Sequence, residues 1–363
     1  MQSYIFLLLI VIILAFLSTS VTRKARPYFF FLNILVLLFF SSLRYDVGTD
    51  FNNYISILHR VNEESIYNAS LEVVFKLIFK VVALLDSPEP LMVVVTSLLS
   101  VITIILGLNN YLKFAIADDR RYAFVCIIFL LQGLFFLSLN GIRQSIAIGF
   151  ILLFLSANIQ RKPKQMIVYS MLAIGFHWFS VIVPLSVLVF NRFKNILIVA
   201  GVVFVPITFM LGKFDLIRPL ILYVVEFLPE KYSYSPEHFL SYNSGYSAKL
   251  LLDNIMVVGI VLFLLNNKDK VIRVYGANQL YWIKLTCFLC LIAVNLSNLG
   301  TGVRLILRAA YYFQIFIPVL LFFLTCRVKY HIGTAFVLLL YLLVYFRMLM
   351  GNFHEVIPYS SWL

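Results

Sequence analysis

Long apolar runs recur along this 363-residue chain, and several approach the ~20 residues that a helix needs to cross a lipid bilayer. Charged residues make up only 12% of the chain, against about 25% in soluble domains. Polar side chains are therefore too few to cover a surface in water, which excludes a cytosolic, secreted or disordered protein. We predict an all-α, polytopic integral membrane protein of about 12 helices.

The predicted spans form a single membrane domain over residues 1–363. Full crossings are expected at about 4–21, 28–43, 91–112, 123–139, 142–159, 196–212, 248–265, 280–297, 309–325 and 331–346. The segment 71–85 is short and carries Lys76 and Lys80 on one helix face, which favours an amphipathic helix at the interface. The segment 165–190 is too short for two crossings. It predicts two half-length helices, 166–176 and 181–190, whose bend at 175–180 lines a water-filled cavity.

Topology explains most of the net charge of +13. Six short loops between the predicted spans hold 16 of the 29 Lys and Arg residues, as the positive-inside rule requires of cytoplasmic loops. The long loop 213–247 and both chain ends then lie on the outer side. The sequence has no basic stripe with interleaved aromatic residues for nucleic acid. It also has no motif for a metal or cofactor, so we expect none of these ligands.

Charged residues at the predicted outer ends of helices are not explained by this topology. Arg44, Asp46 and Asp50 follow the second span, and they form either an outer loop with a local ion pair or one wall of an active site. Arg143 and Gln144 lie in the first turn of a helix, where the dipole disfavours a cation unless an anion lies nearby. This placement favours an anion site over an interfacial anchor.

Three other regions carry polar side chains at unusual positions. His177 lies in the predicted bend, and an ionisable residue inside a membrane is a candidate for function, although packing is the alternative. Arg304 and Arg308 share one helix face and repel each other unless an anion bridges them; this favours phosphate over snorkelling to the interface. The outer loop adds Arg218 and His238, among tyrosines that suit either a sugar platform or an aromatic belt.

Four motifs in this order resemble the EpsG-like branch of the Wzy-type polysaccharide polymerases. They are Arg44-Tyr-x-Val-Gly-Thr-Asp50-Phe-x-x-Tyr54, Ile142-Arg-Gln-x-Ile-Ala147, Phe176-His-x-x-Ser180 and Arg304-x-x-x-Arg308. The resemblance implies a GT-C-like, metal-independent glycosyltransferase of the bacterial inner membrane, with its active site facing the periplasm or the outside. The implied substrates are undecaprenyl-diphosphate-linked repeat units of O-antigen, capsule or exopolysaccharide. The resemblance also implies that the protein is embedded in the lipid bilayer, and it suggests a chain-length regulator protein as a further partner.

The resemblance also implies a reaction. The growing glycan leaves undecaprenyl diphosphate and is transferred to the sugar of a new repeat unit. Arg143, Arg304 and Arg308 would stabilise the leaving diphosphate. His177 would be the base, because histidine has the unperturbed pKa closest to neutrality, and Asp50 and His238 are the alternatives. The remaining residues expected to bind sugar or diphosphate are Arg44, Asp46, Gln144 and Arg218.

Two other functions use similar features. A flippase for lipid-linked sugars also needs cationic pockets in the membrane, but transporters commonly show two similar halves, which this sequence lacks. An O-antigen ligase differs mainly in its acceptor, and the order of the motifs favours the polymerase. The sugars, their linkage and the stereochemistry stay open at this point.

Overall fold

A computed structural model describes residues 1–48, 50–60, 72–114, 121–219, 223, 248–301, 303–327, 331–352 and 356–361. Almost all of them are helical, which confirms the predicted fold class for this part of the chain. In chain order the elements are α1 (Gln2–Ser20), α2 (Arg26–Ser42), β1 (Arg44–Tyr45), α3 (Phe51–His59), α4 (Val73–Ala83), α5 (Pro88–Leu112), α6 (Arg121–Leu131), α7 (Leu134–Leu139), α8 (Ile142–Ile159), α9 (Pro163–Phe176), a 3₁₀ turn (Trp178–Val181), α10 (Ile182–Lys213), α11 (Ala248–Asn266), α12 (Lys268–Leu299), α13 (Arg304–Gln314), α14 (Phe316–Arg327), α15 (His331–Met350) and β2 (Ser360–Ser361).

Six helical segments within the described ranges are long and apolar enough to cross a membrane. They are Gln2–Ser20, Pro88–Leu112, Ile142–Ile159, Trp178–Lys213, Lys249–Asn266 and Gln279–Leu299. A helix rises about 1.5 Å per residue, so segments of this length match a hydrocarbon core of about 30 Å. These helices support a polytopic membrane protein, while the predicted helix total stays a prediction.

Two predicted spans, 123–139 and 309–325, are each divided into two helices. α6 and α7 are separated at Gly133, whose φ of +79° is a conformation that glycine adopts without strain. α13 ends at Gln314, because Pro318 has no N–H to donate to the carbonyl of Gln314. The hydropathy pattern runs through both breaks and does not reveal them.

The bend predicted at 175–180 is confirmed, but the helix after it is longer than expected. α9 ends at Phe176, and His177 is extended, with φ −158° and ψ 110°. The 3₁₀ turn follows, and α10 then runs for 32 residues with one kink at Phe193. The sequence predicts a half-length helix 181–190 and a separate span 196–212. In the structure the two are one continuous helix, and only the kink at Phe193 marks the predicted boundary.

α4 occupies the segment that the lysine spacing predicted to be interfacial. Its 11 residues extend about 17 Å at 1.5 Å per residue, which is too short to cross a bilayer. Phe75 and Phe79 are buried on one face, whereas Val73, Leu77 and Val81 are exposed on another. The length and the two-sided pattern agree with a helix that does not cross.

The described chain divides into two compact units, Met1–Val181 with Thr325–Leu363, and Ile182–Leu324. In the first unit the C-terminal segment returns to the N-terminal helices. The hydroxyl of Tyr345 donates to the carbonyl of Tyr4 at 3.0 Å, and the hydroxyl of Tyr4 donates to the carbonyl of Val356 at 2.9 Å. β2 then pairs antiparallel with β1. A single membrane domain over 1–363 stays a prediction.

The second unit is held together by amide side chains inside its helix contacts. Asn298 on α12 exchanges two hydrogen bonds with Asn254 on α11, at 2.8 and 3.0 Å, and also donates to Thr208 on α10 at 3.2 Å. The Thr208 hydroxyl donates to Asn295 at 2.8 Å. Polar side chains of this kind join helices where no water can satisfy them. Asn295 and Asn298, which precede the arginine motif, are therefore part of the helix packing.

α10 and α12 pack closely at Gly212, where an added Cβ would overlap the carbonyl oxygen of Asn298. We expect Gly212→Ala to destabilise the protein by about 1–3 kcal/mol, as overpacking does, and to lower the melting temperature of the detergent-solubilised protein. Gly259→Ala on α11 is the matched control, because no atom of the described residues lies within 4 Å of a Cβ added there. Equal melting temperatures for the two variants would contradict this packing.

Candidate functional site

Two of the motifs meet in the first unit, where the loop after β1 packs on the turn between α7 and α8. The backbone N–H of Asp50 donates to the side-chain oxygen of Asn140 at 2.8 Å. Gly48, with φ +93°, lies against the same amide, and an added Cβ would be 3.1 Å from its oxygen. Only glycine combines this backbone conformation with this approach. The loop that carries Asp46 and Asp50 is thus fixed next to the first turn of α8.

Arg143, in that first turn, forms an ion pair with a carboxylate from another helix. Its Nη1 donates to Oε2 of Glu72 at 2.6 Å. The two side chains are mostly shielded, with 25% of Arg143 and 11% of Glu72 exposed. The anion that the helix dipole requires beside Arg143 is therefore present within the chain, as Glu72 immediately before α4.

Tyr54 of α3 hydrogen-bonds the same guanidinium. Burial raises the pKa of the Tyr54 phenol above its ordinary value, and the nearby Arg143 opposes this shift. The phenol is therefore neutral at physiological pH, and its oxygen accepts from the guanidinium. Arg143 is thus held between a carboxylate and a phenol that come from two different segments.

Glu72 also reaches the third motif. Its Oε1 accepts from the backbone N–H of Trp178 at 3.4 Å. This N–H follows the end of α9, where the extended backbone of His177 interrupts the helical hydrogen bonding. The His177 imidazole is half-buried, and the Trp178 indole, 54% exposed, lies 4.0 Å from the Phe179 ring. One carboxylate consequently links Arg143 to the turn that carries His177; we call Tyr54, Glu72, Arg143 and the turn His177–Trp178 the polar cluster.

Arg44 has a different environment, since only 1% of it is exposed. Its Nη1 donates to the carbonyl and hydroxyl of Ser41 and to the Ser97 hydroxyl, at 2.9 to 3.1 Å. Burial lowers the pKa of Arg44 to about 10, which leaves the group cationic at neutral pH. Asp46 instead accepts from Asn52 at 2.8 Å. In the described residues Arg44 therefore fastens β1 to α2 and α5, and a sugar-binding role for it stays a prediction.

The remaining predicted site residues belong to α8, to the second unit or to the part of the chain that the structure does not describe. Gln144 is buried in α8, beside Arg143 in sequence. Arg304 is the first residue of α13 and Arg308 is exposed one turn later, both in the second unit. Arg218, in the same unit, pairs with Asp215 at 3.4 Å. His238 and most of the loop 213–247 lie outside the described residues, so the meeting of these groups with Arg143 stays a prediction.

Sequence reasoning missed Glu72 as a site residue. The two lysines of the segment 71–85 indicate an interfacial helix, and this pattern does not single out the acid at its start. A signal was present, because the chain has only 16 Asp and Glu and a carboxylate directly before a helix stabilises its N-terminus. Within the described ranges, no three His, Cys, Asp or Glu side chains are grouped to hold a metal ion.

Apolar helices of crossing length, together with a charged and partly exposed cluster at the ends of several helices, define a multi-pass membrane protein with a polar site. The model of the EpsG family matches residues 27–361, and the chain belongs to this family. This confirms the resemblance and indicates a polysaccharide-polymerase type of membrane protein with glycosyltransferase-like activity. No curated protein and no solved structure matches the chain significantly.

Asn140→Ala tests the loop contact. Removing a buried acceptor leaves the Asp50 N–H without its partner, at a local cost of about 1–3 kcal/mol. We expect faster hydrogen–deuterium exchange at Asp50 and in the first turn of α3. Ser145→Ala is the control, because the Ser145 hydroxyl bonds only within its own helix in the described contacts, to the Ile142 carbonyl. Unchanged exchange in Asn140→Ala would show that the amide does not hold the loop.

Proposed function

We propose that this protein is a polysaccharide polymerase. It transfers a growing glycan from undecaprenyl diphosphate to the sugar of a new lipid-linked repeat unit, on the outer face of the bacterial inner membrane. The observation that carries the proposal is the polar cluster. Glu72 joins groups that are 71 and 106 residues away in sequence, the Arg143 guanidinium and the backbone N–H of Trp178, so one carboxylate links Arg143 to the turn that carries His177. The family membership supplies the class of reaction.

In the proposed reaction, the bond between the anomeric carbon and the diphosphate oxygen breaks. The acceptor hydroxyl forms the new glycosidic bond and gives its proton to a base. Charge builds up on the departing diphosphate, and fixed cations that face this charge stabilise the transition state. A guanidinium has five N–H donors. The bond from Nη1 to Glu72 is therefore compatible with a phosphate oxygen binding elsewhere on Arg143, and Arg304 and Arg308 are proposed to add to this charge.

His177 is proposed as the base. The end of α9 places it in an irregular turn, half-buried and next to the exposed indole of Trp178. Irregular backbone at membrane depth is tolerated where it is enclosed by protein or lines a wet cavity, and an acceptor sugar needs such a space. Asp50, half-buried in the loop held by Asn140, and His238 are the alternatives.

The test is reconstitution of the purified protein in phospholipid vesicles, with lipid-linked repeat units extracted from cells that lack it. We expect a ladder of longer lipid-linked glycans on a gel, without added nucleotide or ATP. Transfer of existing polymer to another acceptor, without elongation, would instead indicate a ligase. Movement of repeat units across the vesicle membrane without a new glycosidic bond would indicate a flippase.

His177→Gln tests the base. Glutamine keeps a polar side chain of similar length but cannot accept and release a proton near neutral pH. General-base catalysis contributes about 10²–10⁴-fold, so we expect kcat to fall by this order while KM for the lipid-linked repeat unit changes little. His331→Gln, at the start of α15, is the control. Elongation at the wild-type rate in His177→Gln would assign the base to another group.

A further inference from the structure

Resting on the proposed function, we propose that Glu72 is the positioning residue of this site. Its carboxylate fixes the Arg143 guanidinium and the His177 turn relative to each other, and its negative charge competes with the substrate's phosphates for Arg143. The proposal goes beyond the four motifs, none of which includes Glu72. It assigns to one carboxylate both the geometry of the site and the strength with which it binds the lipid diphosphate.

The first argument is that each carboxylate oxygen has a separate partner. Oε2 accepts from Arg143 at 2.6 Å and Oε1 accepts from the Trp178 N–H at 3.4 Å. The partners belong to α8 and to the turn after α9, and Glu72 itself precedes α4. Three chain segments are therefore held by one side chain with 11% exposure. Small displacements of a reacting group slow the reaction strongly, since a shift of about 1 Å can lower the rate by about 10²-fold.

The second argument is electrostatic. Arg143 lies in the first turn of α8, where the helix dipole adds to its positive charge. Glu72 offsets part of this potential while the site holds no substrate. A phosphate is also an anion, and it is repelled by Glu72 at this short range as it is attracted by Arg143. With Glu72 present, the lipid diphosphate therefore binds more weakly than it would to Arg143 alone, but the guanidinium that binds it is better oriented.

The experiment compares kcat and KM for the lipid-linked repeat unit in reconstituted wild-type, Glu72→Gln and Glu72→Asp proteins. Glutamine keeps the shape and removes the charge, so we expect KM to fall several-fold and kcat to fall by roughly tenfold to a hundredfold. Aspartate keeps the charge but is too short to reach both partners, so kcat should fall while KM does not. A merely structural role would change the folded fraction and leave KM at the wild-type value in both variants.

Glu89→Gln is the matched control. Glu89 is also a paired carboxylate of the first unit, and its Oε1 lies 2.6 Å from Nε2 of His59. Loss of its charge should leave both kinetic constants unchanged. The folded fraction of every variant is measured by size-exclusion chromatography in detergent, so that rates are expressed per folded molecule.

Arg143→Lys separates this inference from the proposed function. Lysine keeps a charge but lacks the planar set of donors, and elongation by Arg143→Lys should fall at least tenfold. Glu72→Gln should then lower kcat less in the Arg143→Lys background than in the wild type, because the part of its effect that acts through the guanidinium is already lost. If wild type makes no polymer, or Arg143→Lys is fully active, the proposed function or its diphosphate site is wrong. If Arg143→Lys is impaired and Glu72→Gln matches wild type in kcat and KM, only the role of Glu72 is overturned.

Discussion

A polar group that is removed from water must find its partner inside the protein, and this constraint organises both units. In lipid an unpaired donor or acceptor costs several kcal/mol. The second unit meets the requirement with Asn254, Thr208, Asn295 and Asn298, which bond one another across three helices. The first unit meets it with hydroxyls around Arg44 and with Glu72 beside Arg143. Ser97 is 53 residues from Arg44 and Glu72 is 71 residues from Arg143, so these pairs join segments that are far apart in sequence.

The same requirement distinguishes the structural role of Arg44 from the role of Arg143, which can bind a ligand. Arg44 is enclosed by Ser41 and Ser97, and its hydrogen bonds to them join β1 to two helices. Arg143 is also paired, but a quarter of its side chain stays exposed, and its partner is a carboxylate next to a half-buried histidine turn. Exposure and the nature of the partner, rather than residue type or motif membership, distinguish a group that can meet an anionic ligand from one that cannot.

Much of this was predictable from sequence, because lipid imposes a simple rule on composition. The apolar runs predicted the helical class, the lysine spacing predicted that α4 does not cross, and the charge at both ends of 165–190 predicted a break near His177. The breaks at Gly133 and Ile315 were not predicted, because a local backbone conformation and one missing N–H do not alter hydropathy. Glu72 was missed since pairing over 71 residues depends on tertiary structure. The buried environment of Arg44 was missed for the same reason.

The first unit is discontinuous in sequence, since residues 182–324 lie between its two parts. Ribosomes add residues in order, so the partners of Arg44 and Tyr45 in β2 are synthesised after the intervening residues 182–324. The polar cluster lies between Tyr54 and Trp178 in sequence, so all of its members are synthesised before residues 182–324 and before β2. Pairing of β1 with Ser360 and Ser361 therefore forms only after the whole intervening segment 182–324 has been synthesised.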